Sequence, residues 1–137
     1  MGGNYKTFST INNVDEEKER KLTDSVPCIK NLQERHNFIR SNRIVVIDNY
    51  TDWCGPCKTC APRYAELAQN FSTTGICSFA KENVGDNISN HPRPVRGVPC
   101  FHIYVDGEYR DDLTVTGADI NAVGNNINNI IQSLNSQ

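Results

Sequence analysis

The chain has 137 residues, 37% of them hydrophobic, and a formal net charge of −2 at pH 7. That length supports one core and argues against a second domain. The charge balance offers no basic field and no cluster of Lys and Arg interleaved with aromatics, which argues against nucleic acid, and apolar runs of a few residues argue against a membrane span.

Residues 1–25 are polar and include the mixed charge run Asp15-Glu16-Glu17-Lys18-Glu19-Arg20-Lys21. This reads as a solvated, flexible extension, with a docking arm as its alternative use. The start has no positively charged segment leading into an apolar core, so a secretory signal is not expected and a reducing compartment such as the cytosol is. Met1-Gly2 misses the myristoylation pattern because Lys6 stands where Ser or Thr is needed. Without a secretory route, the tripeptides Asn49-Tyr50-Thr51, Asn70-Phe71-Ser72 and Asn87-Ile88-Ser89 carry no weight as glycosylation sites. Six cysteines in such a chain read as redox or metal chemistry more than as a structural framework.

Val26 to Ile29 is a short strand candidate. Leu32 to Arg40 is helical, with Leu32, His36 and Ile39 on one face, and the apolar run of Ile44 to Tyr50 predicts a buried strand. Trp53-Cys54-Gly55-Pro56-Cys57-Lys58 follows that strand. From Cys57 to about Phe71, the apolar positions Cys60, Ala61, Tyr64, Leu67, Ala68 and Phe71 recur at helical steps, and Pro62 predicts a kink. Ile76 to Lys81 is the next strand; Asp86 to about Ser89 is at most a short helix, curtailed by Pro92 and Pro94. Phe101 to Val105 and Tyr109 to Val115 then flank Asp106-Gly107, a hairpin-turn dipeptide, and Asp119 can cap a last helix to about Leu134. The predicted order is β-α-β-α-β-α-β-β-α. The run Asn125-Asn126-Ile127-Asn128-Asn129 typifies an Asn-rich composition of the kind an AT-rich coding genome gives, such as a protist's or a large virus's.

Two cysteines with two residues between them at a strand-to-helix junction read as a redox switch. The first amide N–H groups of a helix have no intrahelical partner and carry the positive end of its dipole, which stabilises a thiolate. With Cys54 at the start and Cys57 one turn in, Cys54 is expected to be the more exposed and more easily ionised sulfur, hence the nucleophile, and Cys57 the resolving thiol. Gly55 is expected to allow a tight turn, and Pro56 fits a first helical turn, where its missing N–H costs nothing.

With these motifs in order, residues 26 to 134 resemble the thioredoxin family. The resemblance is carried by Trp53-Cys54-Gly55-Pro56-Cys57-Lys58, Ala61-Pro62, Ala80-Lys81, Arg96-Gly97-Val98-Pro99, and glycines at 107 and 117. It implies an α/β domain over residues 26–137, with a central mixed sheet flanked by helices on both faces. It further implies reduction of protein disulfides through a Cys54/Cys57 dithiol. No bound cofactor is implied, since the electrons reside in the sulfur pair. The implied partners are protein disulfide substrates and a thioredoxin reductase or other dithiol donor, with a monomer or weak dimer as the working unit. The Gly-Pro spacer resembles that of reducing members more than that of isomerases.

By this resemblance Asp48, desolvated at the end of an apolar strand and helped by Lys81, would take the proton from Cys57. Its alternative is an Asp that merely caps a turn. Pro99 would be cis and leave the backbone of Val98 free to pair with a substrate segment, its alternative being a trans turn proline. Trp53 would offer substrates an apolar contact beside Gly55 and Pro56, or simply pack.

Other cysteines depart from the pattern. Cys54-x-x-Cys57-x-x-Cys60 raises a cluster or zinc site, but Tyr64 stands where a ferredoxin run needs its fourth cysteine, and no second CxxC or closely spaced His pair completes a zinc set. By helical spacing Cys60 falls on the core-facing side and is expected to be a buried, inert thiol, and Cys28 and Cys77, in strand candidates, are expected to be core residues. Cys100, directly after Pro99, would modulate the switch, bind metal with it, or fill a strand position. Two other classes stay open: a binding module that keeps the fold but not the turnover, and a metal protein using Cys54, Cys57 and Cys100.

Overall fold

The structure is a computed structural model and describes residues 15–85 and 88–136. Its centre is strand β2 (Ile44–Tyr50), in which Ile44 to Ile47 are fully buried. An apolar run without polar alternation can be sheltered only if both faces of its sheet are covered. β2 pairs in parallel with β3 (Cys77–Asn83) and antiparallel with β4 (Cys100–Val105), giving a mixed sheet. β1 (Cys28–Ile29) extends the sheet beyond β3, while β5 (Glu108–Tyr109) and β6 (Val115–Thr116) both pair with β4.

Alternate β2 residues serve two cores. Ile44 and Val46 join Phe79, Phe101 and Ile103 beneath α3 (Gly55–Ser72) and α4 (Ile120–Asn135), whereas Val45 and Ile47 join Ala80 and Tyr104 beneath α2 (Leu32–Ile39). α4 buries Ile120, Val123, Ile127 and Ile130, three or four residues apart, each worth about 1.5–3 kcal/mol of apolar burial. Asp119 starts that helix as expected, its side chain accepting from the Ala122 amide at 3.0 Å. Gly107 at φ 84° and Asp106 at φ 51° form the hairpin turn between β4 and β5.

Several expectations are corrected. Residues 15–24, expected in a polar extension, form a helix, α1, whose Leu22 packs against the larger core; residues 1–14 lie outside the described residues. β1 is shorter than Val26–Ile29 because Pro27 has no amide to give a ladder, although Val26 remains buried. On α2 the inward residue is Arg35, 3% exposed, while Leu32 is 68% exposed. A periodicity count assigns a cation to solvent, and here buried polar partners take it inside.

Cys28 is exposed and not part of the core. The helix continues through Pro62 from Gly55 to Ser72, the missing amide removing one hydrogen bond without ending it. The second hairpin arm is broken by a single 3-10 turn, Asp111–Leu113, before β6 returns to β4, and Ile88–Asn90 is likewise 3-10.

Candidate active site

The cysteine pair lies where β2 hands over to α3. Cys54 is the residue before the first helical turn, with extended backbone at φ −87° and ψ 106°, and its Sγ accepts from the Cys57 amide at 3.1 Å. A sulfur in that position meets an amide that has no intrahelical acceptor, which is what favours negative charge there. A disulfide joins Cys54 and Cys57 across a Cα–Cα distance of 5.3 Å. In this oxidised form both residues are 4% exposed, so the expected greater exposure of Cys54 is not seen.

Pro56 occupies the first turn as expected. Gly55, by contrast, is not at positive φ, and a Cβ built on it would meet nothing within 4 Å. A side chain here would stand in open space, so the backbone at this turn does not require glycine. Trp53, 71% exposed, stands beside the pair, with its ring available for contact.

The loop before β4 approaches from the other side. The Val98–Pro99 peptide is cis, and the Val98 carbonyl oxygen lies 3.6 Å from Cys54 Sγ. Asn49, at the end of β2, donates from Nδ2 to the Cys100 carbonyl at 2.8 Å, and Pro99 accepts from the Gly117 amide at 2.8 Å. Cys100 itself does not reach the pair. Its buried Sγ lies among the Pro94 carbonyl, at 4.0 Å, and the Thr116 hydroxyl, at 3.9 Å, and burial pushes its thiol pKa up. Of the three readings for Cys100, this geometry favours the filled strand position.

Behind the disulfide, Asp48 projects from β2 toward α3 and is 4% exposed. Its Oδ1 is buried without a hydrogen-bond partner among the described residues. Burial pushes its pKa up to about 7, against a smaller downward pull from Lys81, its register neighbour on β3. It caps no turn. A cavity of about 220 Å³ is lined by Asp48, Cys57, Lys58, Tyr50, Thr23 and Lys81 among others, so the carboxyl and the second sulfur share one space. Lys81 Nζ donates to the Thr23 carbonyl at 3.2 Å, which brings α1 to the rim of that cavity.

Below Asp48, the fully buried Tyr64 hydroxyl donates to the Ala80 carbonyl at 2.7 Å and fixes α3 on the sheet. Cys60 is buried in the core, its Sγ 3.6 Å from the Cys57 carbonyl, and burial raises its pKa to about 11, as an inert thiol requires. Cys77 is buried in the same core. Among the described residues, no group of three or more His, Cys, Asp or Glu is disposed to hold a metal ion, and no helix is long and apolar enough to cross a membrane.

The Thr23 contact to Lys81 and the Asn49 bond to Cys100 were not legible as site features. Asn49 did carry a signal, a polar residue inside an apolar strand, but nothing in the sequence named its partner.

The family model described as Thioredoxin matches residues 26–129. A thioredoxin of Neurospora crassa is 36% identical over 107 residues, covering 74% of this chain and 84% of its own length. The oxidised crystal structure of mitochondrial thioredoxin 3 from Saccharomyces cerevisiae superposes with a TM-score of 0.68 at 30% identity, covering 79% of this chain and 98% of its own. A chain from a structural study of thiol resolution in yeast mitochondrial 1-Cys peroxiredoxin, via glutathione/thioredoxin systems, gives a TM-score of 0.67 at 28% identity, covering 78% and 97% respectively.

Proposed function

This chain belongs to the thioredoxin family and is a thiol–disulfide oxidoreductase, and from that premise we propose which of its residues carry the exchange. Thioredoxins are themselves a standard illustration of a thiol made acidic by such surroundings. In the reduced enzyme, the Cys54 thiolate attacks one sulfur of a protein disulfide. The substrate S–S bond breaks, a Cys54–substrate bond forms, and the released substrate thiolate takes up a proton.

Asp48, as carboxylate, accepts the proton of Cys57, and the Cys57 thiolate attacks Cys54 Sγ. The second substrate thiol leaves, and the enzyme retains the Cys54–Cys57 disulfide. Two electrons pass to the substrate, and a dithiol donor such as a thioredoxin reductase returns them. Lys81 tunes Asp48 from the neighbouring strand, Trp53 and the bare Gly55-Pro56 surface receive the substrate, and Val98 pairs with its extended backbone.

The observation that carries this reading is a Cys54–Cys57 disulfide at a helix start, with a buried carboxyl sharing the cavity of the second sulfur. The working compartment is a reducing one, the cytosol or an equivalent space, where the resting dithiol is maintained. The test is turnover of insulin disulfides with a dithiol donor by the parent chain, Cys54→Ser and Cys57→Ser. Turnover by the parent and its loss in both variants is expected; an inactive parent with a reduced, metal-free pair would leave only a binding module.

A further inference from the structure

On the sheet face opposite Asp48 lies a buried cluster that the exchange reaction does not use. Arg35 of α2 pairs its guanidinium with the Glu82 carboxylate of β3 and donates to the Tyr104 hydroxyl at 2.7 Å. Its Nη2 also lies 3.3 Å from His102 Nδ1. With Nδ1 facing a cation, the fully buried His102 is neutral and donates from Nε2 to the Pro94 carbonyl at 2.7 Å; burial, chiefly, pushes its pKa down to about 4. His91 brings Nε2 to 3.4 Å from Glu82, and its ring lies 5.2 Å from that of His102, tilted by 57°. The Arg93 guanidinium covers the Tyr109 ring at 4.8 Å.

These contacts converge on the loop from His91 to Pro94. That loop runs on to Val98 and Pro99, the segment that meets Cys54. Its other ties are the exposed Arg96–Asp111 ion pair at 3.6 Å and, at its far end, the Gly117 amide on the Pro99 carbonyl. Among the described residues, the backbone of residues 92–98 makes no hydrogen bond to another backbone group, and Pro92 and Pro94 have no amide to offer. A loop without a ladder or helix of its own takes its position from its side chains and from the groups they reach.

We propose that Arg35, Glu82, His91 and His102 are positioning residues that hold the 91–99 loop against the sheet, and so fix the height at which Val98 is presented to an extended protein substrate. The network binds no substrate itself. It sets affinity for protein disulfides, whereas a small disulfide, which forms no strand pairing, does not depend on it. This rests on the reading of Val98 given above.

The test compares the full chain with His91→Ala, His91→Gln and Arg93→Ala on two substrates, insulin and hydroxyethyl disulfide. His91→Ala is expected to raise the KM for insulin about fivefold, the factor that roughly 1 kcal/mol gives, with kcat retained and turnover of hydroxyethyl disulfide unchanged. His91→Gln, which can still donate to Glu82, should restore most of the insulin affinity. Arg93→Ala, which removes only a partly exposed contact and leaves the core intact, should shift KM in the same direction by less. Equal losses on both substrates, or an insulin KM unmoved in both alanine variants, would overturn the proposal. Parent protein inactive on both substrates would instead remove the functional reading on which the proposal stands.

Discussion

The Lys81 ammonium is held by the Thr23 carbonyl at 3.2 Å, so a helix that precedes the family-matched region reaches the residue paired in register with Asp48. The last carbonyls of a helix carry its negative end, a natural seat for a cation. Leu22, packed on the core one residue earlier, keeps that end in place. Undocking α1 with Leu22→Asp should admit water to the cavity that Thr23 walls and lower the pKa of Asp48 toward an ordinary carboxylate value. Carbon-13 NMR titration of the Asp48 carboxyl measures this directly. A midpoint unmoved while α1 has lost its helical signals would contradict it.

Asp48 can take a proton only once it has lost its own. With burial pushing its pKa up to about 7, resolution of the mixed disulfide should quicken as pH rises through that value and level off above it. Asp48→Asn should remove this limb and slow resolution by roughly 10²-fold, the lower end of what a general base supplies. Stopped-flow release of a fluorescent peptide thiol between pH 5 and pH 9 would be the readout (roughly the range that brackets the group). A variant that keeps the limb would assign the proton to another group.

The same burial carries a stability cost with a definite sign. Asp48 binds its proton more tightly folded than unfolded, so its contribution is fully present below the ordinary value of 3.8 and is lost as pH rises toward about 7. Asp48→Asn should therefore be close to neutral in acid and stabilising in mild alkali. The gain is on the order of a few kcal/mol at most, since each tenfold change in proton affinity is worth about 1.4 kcal/mol. Urea unfolding at the two extremes would check it; an equal effect at both would mean that the carboxyl ionises as easily folded as unfolded.

The four cysteines outside the pair should divide by burial. Cys28 is exposed on an edge strand, 4.0 Å from the Tyr50 hydroxyl, whereas Cys60, Cys77 and Cys100 are buried with their thiol pKa values raised by burial. Iodoacetamide at mildly alkaline pH should label Cys28 in the native oxidised protein and leave the other three until denaturant is added. Mass spectrometry of peptides would read the order. Early labelling of Cys100 would restore it as a candidate redox modulator.

The sequence made the chemical centre legible because its signals are local. Trp53-Cys54-Gly55-Pro56-Cys57, the apolar strand before it and the helical spacing after it each specify their own conformation, and Asp48 announced itself as a charge at the end of an apolar run. What sequence periodicity misplaced depended on partners far along the chain. Arg35 reads as solvated until Glu82, 47 positions later, and Tyr104 are brought beside it. His102 lies inside the predicted strand Phe101 to Val105, but nothing local in the sequence names Arg35 and Pro94, which flank its ring. Residues 15–24 read as solvated charge because a single apolar anchor, Leu22, fixes them to the core.

Assigning Cys54 as the nucleophile and Cys57 as the resolving thiol is the central claim, and trapping separates the two roles. Cys57→Ser, reduced and mixed with a protein disulfide, should stall as a covalent complex that dithiothreitol dissolves, with peptide mapping placing the bond on Cys54. A complex formed equally well by Cys54→Ser, or a bond mapped to Cys28, would contradict the assignment.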